Sequence, residues 1–192
     1  MVIVDFPEAV MILERGYPRL RTFLKNELPN IAKNKKIMNA YIWTVASRGG
    51  FRIPKGVNDP AWTSARHLAP QALAWGRAPT AAVGTYVDKD NSVTSAVFDA
   101  DNNTVTFDEQ LVEGLEAAPH AAGSMVYEMV AMHELTHWLD FNVNGVAFPS
   151  GGGAELGSVF ELMAYTKVER AMRNSLIGRV RAGMKALRAS DG

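Results

Sequence analysis

Residues 131–140 read Ala131-Met132-His133-Glu134-Leu135-Thr136-His137-Trp138-Leu139-Asp140, closing an apolar, helix-forming run that begins at Ser124. Two imidazoles four residues apart on a helix lie about one turn apart on the same face. That spacing lets both bind one zinc ion, and it sets Glu134 beside the metal as a base for water. The flanking residues Met125, Val126, Met129, Val130, Met132, Leu135, Trp138 and Leu139 are apolar, which predicts a helix buried on most of its sides. The motif takes two of only four histidines in the chain, and on a buried helix both would otherwise carry a desolvation cost.

The 192 residues suit one domain with a sizeable core. Apolar content is 47% and charged content 21%, the balance of a globular chain. Net charge is zero, so no global field favours nucleic acid or an anionic membrane. Charge is still uneven: residues 88–119 hold eight acids and one Lys, and residues 166–192 hold seven bases and two acids. These are read as solvated faces, with an acidic rim near the metal or a basic partner helix as the sharper alternatives. There are no cysteines, so a transition metal must be held by His, Asp or Glu. No long apolar span is present. Met1 to Leu20 carries Asp5, Glu8 and Glu14 among its apolar residues, unlike a secretory signal. The expected location is therefore the cytoplasm, or export by a signal-independent route.

Along the chain, Pro7 to Arg15 reads as a helix stopped by Gly16, and Pro18 opens a second that ends near Leu28. Asn30 is a candidate cap for a third, reaching Ser47 and stopped by Gly49-Gly50. Phe51 to Gly84 is rich in Pro, Gly and Ala; it is read as irregular, with a short helix over Ala65–Trp75 and with Trp62 and Trp75 packing. Thr85 to Phe107 reads as β structure, with strands over Val93–Phe98 and Thr104–Phe107 joined by the turn 99–103. Asp108 to Glu116 is a short helix stopped by Pro119. A loop over Phe141–Gly153 follows the histidine helix, then a helix over Ala154–Arg173 and a helical pattern over Ser175–Ala189.

Catalytic zinc usually has three protein ligands and one open position. Three carboxylates compete for the third place. Asp140 lies three residues after His137 on the same helix, where completing a tetrahedron is difficult, so a supporting role is expected. Glu155 and Glu161 open and continue the next helix, and six residues put them roughly 240° apart at about 100° per residue, so only one faces the zinc. Position favours Glu161, mid-helix in a Phe-Glu-x-x-Ala context, because an acid at Glu155 is already accounted for by the helix dipole.

These residues resemble the gluzincin metallopeptidases, which pair an HExxH helix with a Glu from a later helix. The resemblance covers about residues 124–170. The later helix of that group often reads Glu-x-x-Ala followed by an acid; Phe160-Glu161-Leu162-Met163-Ala164-Tyr165 fits except that Tyr165 replaces the acid. Tyr165 is either a donor to a ligand or an oxyanion, or a core tyrosine. The compact size and the Gly-rich connector 151–153 are similar to the small HExxH domains of bacterial toxins and secreted effectors. The metzincin pattern is not met, since Asp140 and Val143 stand where its glycine and third histidine belong. His67 and His120 are isolated; His120, just before the histidine helix, is the one able to approach the site.

The expectation is a single α+β zincin-like domain over residues 1–192. A small sheet or hairpin packs on the HExxH helix, between a helical N-terminal part at 1–50 and helical C-terminal elements, with a catalytic core at 85–173. Such a fold implies an edge strand that pairs with extended substrate. The expected activity is zinc-dependent peptide hydrolysis. His133, His137 and Glu161 are the expected ligands of Zn2+, Glu134 the base, and Tyr165 a candidate catalytic residue. The expected partners are a protein or peptide substrate, a peptidoglycan peptide among them, and a cognate inhibitor or immunity protein if the chain is a toxin. The alternative is a zincin-fold regulatory or interaction domain without proteolysis, which leaves the intact Glu134 without a purpose.

Overall fold

The computed structural model describes residues 2–3, 16–50, 54, 58–77, 79–85, 94–145 and 155–190. The expected helix over Pro7–Arg15, the Val93 end of the expected strand and the glycines 151–153 lie outside them. The first helical stretch runs α1 (Pro18–Thr22), a π-helical segment (Phe23–Glu27) and α2 (Leu28–Ile31). It passes Pro29, where the sequence suggests a stop. Pro29 has no N–H to give, and the π-type bond from Leu28 N–H to Phe23 C=O absorbs the change. Leu20, Phe23, Leu24 and Leu28 are buried along it.

Helix α3 (Lys35–Ser47) is capped by Asn34 rather than Asn30, with Asn34 Oδ1 accepting from the N–H groups of Lys36 and Ile37. Helix α4 (Pro60–Leu73) begins five residues before the expected one. Asp59 caps it and Pro60 stands in its first turn, a start signal inside a segment whose composition suggests a loop. Trp62 packs on the core as expected, whereas Trp75 is exposed.

Four strands form one sheet in the order β1-β2-β4-β3: β1 (Val2–Ile3), β2 (Thr80–Gly84), β3 (Ala96–Asp99) and β4 (Thr104–Asp108). β1, β2 and β4 pair in parallel, and β3 pairs antiparallel with β4 as the expected hairpin, so β3 is an edge. Its turn is held by Asp99, whose Oδ1 accepts from the N–H groups of Asp101 and Asn102, and by Asn103, which takes the left-handed conformation at φ 49°. Asn103 Oδ1 then accepts from Trp138 Nε1 at 2.8 Å, tying the hairpin to the histidine helix.

Helix α5 (Glu109–Ala117), capped by Asp108, leads into α6 (His120–Asn144), which ends on Gly145 at φ 74°. α6 is longer than the sequence run by about a turn at each end. It is the central helix: Val126, Met129, Ala131, Met132, Leu135 and Leu139 are all buried. The sheet packs on one side of it, while α3 braces it on another through Tyr41, whose hydroxyl donates to Leu135 C=O at 2.7 Å. The fold is thus α+β, with the sheet laid on the HExxH helix.

The expected helix over Ala154–Arg173 is two helices, α7 (Leu156–Ala164) and α8 (Lys167–Ser190), broken at an extended Tyr165. The break is a capping box: Glu169 N–H donates to Thr166 Oγ1 at 3.2 Å, and Thr166 N–H donates to Glu169 Oε2 at 2.6 Å. Thr166-x-x-Glu169 is the sequence signature of that restart. α7 is anchored by buried Phe160, edge-on to Tyr41 and Tyr165 with ring centroids 6.0 and 5.8 Å away. Phe160→Ala is expected to cost about 3–5 kcal/mol, seen as a large drop in melting temperature.

Candidate metal centre

α6 puts His133 and His137 on one face, with ring centroids 5.4 Å apart. Glu155 meets them from the start of α7. Its Oε1 lies 2.6 Å from His137 Nε2, and its Oε2 lies 3.4 Å from His133 Nε2. One ligand atom from each of the three residues lies within 4.8 Å of the others. Glu155 is held in this place because it is also the N-cap of α7, accepting from Gly157 N–H at 2.6 Å and Ser158 N–H at 2.7 Å. The helix start comes this close because residue 157 is glycine: a Cβ there would collide with the His133 ring. Gly157→Ala is therefore expected to push His133 off its position and lower metal affinity about 10–100-fold, with a modest loss of stability, measured by metal titration and thermal unfolding.

The donor set fits zinc. Two imidazole nitrogens and one carboxylate match a three-ligand catalytic site. Ligands on a tetrahedron with bonds of about 2.1 Å lie about 3.4 Å apart, the separation found between His133 and Glu155. The His137–Glu155 pair is closer, at hydrogen-bonding distance. The side chains of His133 and His137 are 23% and 19% exposed and that of Glu155 43%, so the site opens to solvent on one side.

Glu161 sits behind the centre. Its Oε1 is 2.8 Å from His133 Nδ1, the nitrogen turned away from Glu155, and it also takes the Arg173 guanidinium of α8. Position in the sequence favours Glu161 as the third ligand, with Glu155 as its rival. Glu155, not Glu161, joins the two Nε2 atoms, and Glu161 orients a histidine. Glu155 is not a helical residue but the cap that precedes α7, and from there it meets the histidine Nε2 atoms while Glu161, within the helix, meets His133 Nδ1. Burial acts to raise the Glu161 carboxyl, but the hydrogen bonds from His133 and Arg173 outweigh it and hold the group below the usual range. Burial acts to lower His133, and the Glu161 bond with the surrounding carboxylates reverses that, favouring its proton. Burial likewise acts against charged Glu155, yet its bond to His137 and the His133 charge keep it well below the carboxylate range.

Glu134 is buried on the next stretch of wall. Its Oε2 accepts from Phe98 N–H of β3 at 2.9 Å. Burial raises its carboxyl above the ordinary value, against the pull of both histidines. Because Phe98 N–H points away from β4, the N–H and C=O of Ala96, two residues earlier, face the same open edge. That edge borders a cavity of about 400 Å³ lined by Ala96, His133, Glu134, Ser158, Glu161 and two arginines of α8, Arg173 and Arg181.

Tyr165, a candidate either for catalysis or for the core, is not among the residues lining this cavity. Its hydroxyl donates to Glu128 of α6 at 3.1 Å, and its ring is buried on Phe160. Asp140 is fully buried, accepts from Asn144 Nδ2 at 2.6 Å and lies 4.0 Å from Arg48. It supports the end of α6 rather than a histidine. His67 pairs with Gln71 on the surface of α4. His120 opens α6 near Glu27, thirteen residues or about 20 Å of helix before His133.

Sequence reasoning passed over Gly157 and did not single out Arg173 and Arg181 among the bases of residues 166–192. A glycine at the second position of a helix, two residues after an acid and following an HExxH motif, is a readable sign of close backbone approach. A family profile described as metallopeptidase toxin 3 matches residues 13–166. No curated protein and no solved structure matches the chain.

Proposed function

The chain belongs to the metallopeptidase toxin 3 family, and from that premise we propose that it is a zinc-dependent endopeptidase acting on a protein substrate. The observation that carries this reading is the convergence of His133 Nε2, His137 Nε2 and the Glu155 carboxylate beside the buried Glu134. In this reading these three residues hold the ion. Bound zinc supplies the Lewis acid that polarises the scissile carbonyl and makes water acidic enough to attack.

The remaining chemistry belongs to the chain. Phe98 N–H anchors one oxygen of Glu134, so the other is aimed at the attacking water. Glu134 takes a proton from that water and delivers it to the leaving amine. A carboxyl raised by burial suits both directions of that transfer. Glu161, on Nδ1, holds the His133 ring with Nε2 toward the ion and strengthens it as a ligand. The outward N–H of Ala96, and its C=O beside the bond it accepts from Thr94 Oγ1 at 3.0 Å, give extended substrate an edge on which to pair.

The test is hydrolysis of a peptide library by purified protein. Activity is expected to vanish with a chelator and to return on adding zinc. Cleavage that survives complete metal removal would rule this mechanism out.

A further inference from the structure

Helix α8 begins at Lys167, beyond the residues that the family profile matches, yet it forms one wall of the cavity beside His133 and Glu134. It is seated there by Val180, which fills the space over Gly114 of α5; a Cβ on Gly114 would collide with it. This seating brings Arg173 and Arg181 to the cavity. Arg173 is committed, its guanidinium on Glu161 and its Nε donating to Asn174 Oδ1 at 3.1 Å. Arg181 is not. Its Nη2 reaches only the Ser95 hydroxyl, at 3.3 Å, and its Nε is buried with no hydrogen-bond partner. Among the described residues no carboxylate lies within ion-pair distance of it. A half-buried guanidinium in the wall of a substrate cavity, its Nη2 meeting only a hydroxyl, matches through its terminal N–H groups the planar, two-oxygen geometry of a carboxylate.

We propose that Arg181 forms an anionic subsite, taking the side-chain carboxylate of a substrate Asp or Glu two or three residues from the scissile bond. The position follows from the edge strand. Glu134 is held at Phe98 and Arg181 at Ser95, three strand residues away. At about 3.4 Å per residue that is roughly 10 Å, the span of about three residues of extended substrate. The proposal rests on the peptidase reading above, and it names the substrate class for that site.

The experiment profiles a random peptide library with amidated C-termini, so that side chains are its only carboxylates. The zinc-loaded parent, Arg181→Gln and Arg181→Glu are compared, with thermal melts to verify folding. The parent should favour Glu over Gln about tenfold at one position two or three residues from the cut. Arg181→Gln should bring that ratio close to one, and Arg181→Glu should turn the preference toward Lys or Arg at the same position. Cleavage with no acidic preference, or with a preference both variants keep, would overturn the subsite and leave the peptidase reading standing. If the parent cleaves nothing, the peptidase reading fails. The subsite is then judged by selecting the same library for binding to Glu134→Gln protein. Enrichment of acids that disappears in the Glu134→Gln, Arg181→Gln double variant supports it, and no enrichment overturns it.

Discussion

Glu134→Gln is expected to keep the fold and the bound metal while lowering kcat by about 10²–10⁴-fold. Gln can still accept the Phe98 N–H through its amide oxygen, so the strand contact that seats residue 134 survives. What it cannot do is take a proton. Because the loss lies in the chemical step, KM for a given peptide should change little. Replacing a buried carboxyl whose charged form is disfavoured by burial should not destabilise the protein, and a slightly higher melting temperature is expected. The check is steady-state kinetics alongside metal content and a thermal melt on the same preparation. Activity within a few-fold of the parent would assign the proton work to another group.

The second large effect separates two carboxylates that the sequence presents as rivals. Glu155→Ala removes a proposed ligand and the cap of α7 together. Metal affinity should fall by at least about 10³-fold, with about 1 kcal/mol lost from the helix start. Glu161→Ala removes only the partner of His133 Nδ1 and of Arg173. It should lower affinity about 10–100-fold and leave the stoichiometry at saturating zinc unchanged. Competition against a calibrated chelator measures both. Glu155→Asp offers a control: it restores capping but its shorter side chain draws the carboxylate back from His133 and His137, so stability should recover further than affinity.

Much of the site was legible because HExxH is local. The i, i+4 spacing, the apolar surroundings and the adjacent Glu all belong to one helix, and α6 carries them as expected. The β3–β4 hairpin was legible for the same reason, since its turn residues Asp99, Asn102 and Asn103 speak for themselves. The third carboxylate was not. The spacing argument placed Glu155 and Glu161 on one helix, whereas Glu155 is the cap before α7, and which carboxylate faces the histidines depends on how α7 is docked, which is set by Phe160, Tyr41 and Gly157. The surroundings of Tyr165 were hidden by the same dependence: the capping box at Thr166 breaks the helix there, and the Tyr165 hydroxyl donates to Glu128. Arg173 and Arg181 reach the cavity only because α8 folds back over α5, a contact between residues some seventy apart that no local pattern announces.

The central claim is that His133, His137 and Glu155 hold one zinc ion beside Glu134. Its most direct test is a crystal structure of zinc-loaded protein, with anomalous diffraction collected across the zinc edge. The account predicts one peak per chain, about 2.0–2.2 Å from His133 Nε2, His137 Nε2 and a Glu155 oxygen, with Glu161 still on His133 Nδ1. No peak at the histidine pair, or a peak bonded to Glu161 with Glu155 turned away, would contradict it.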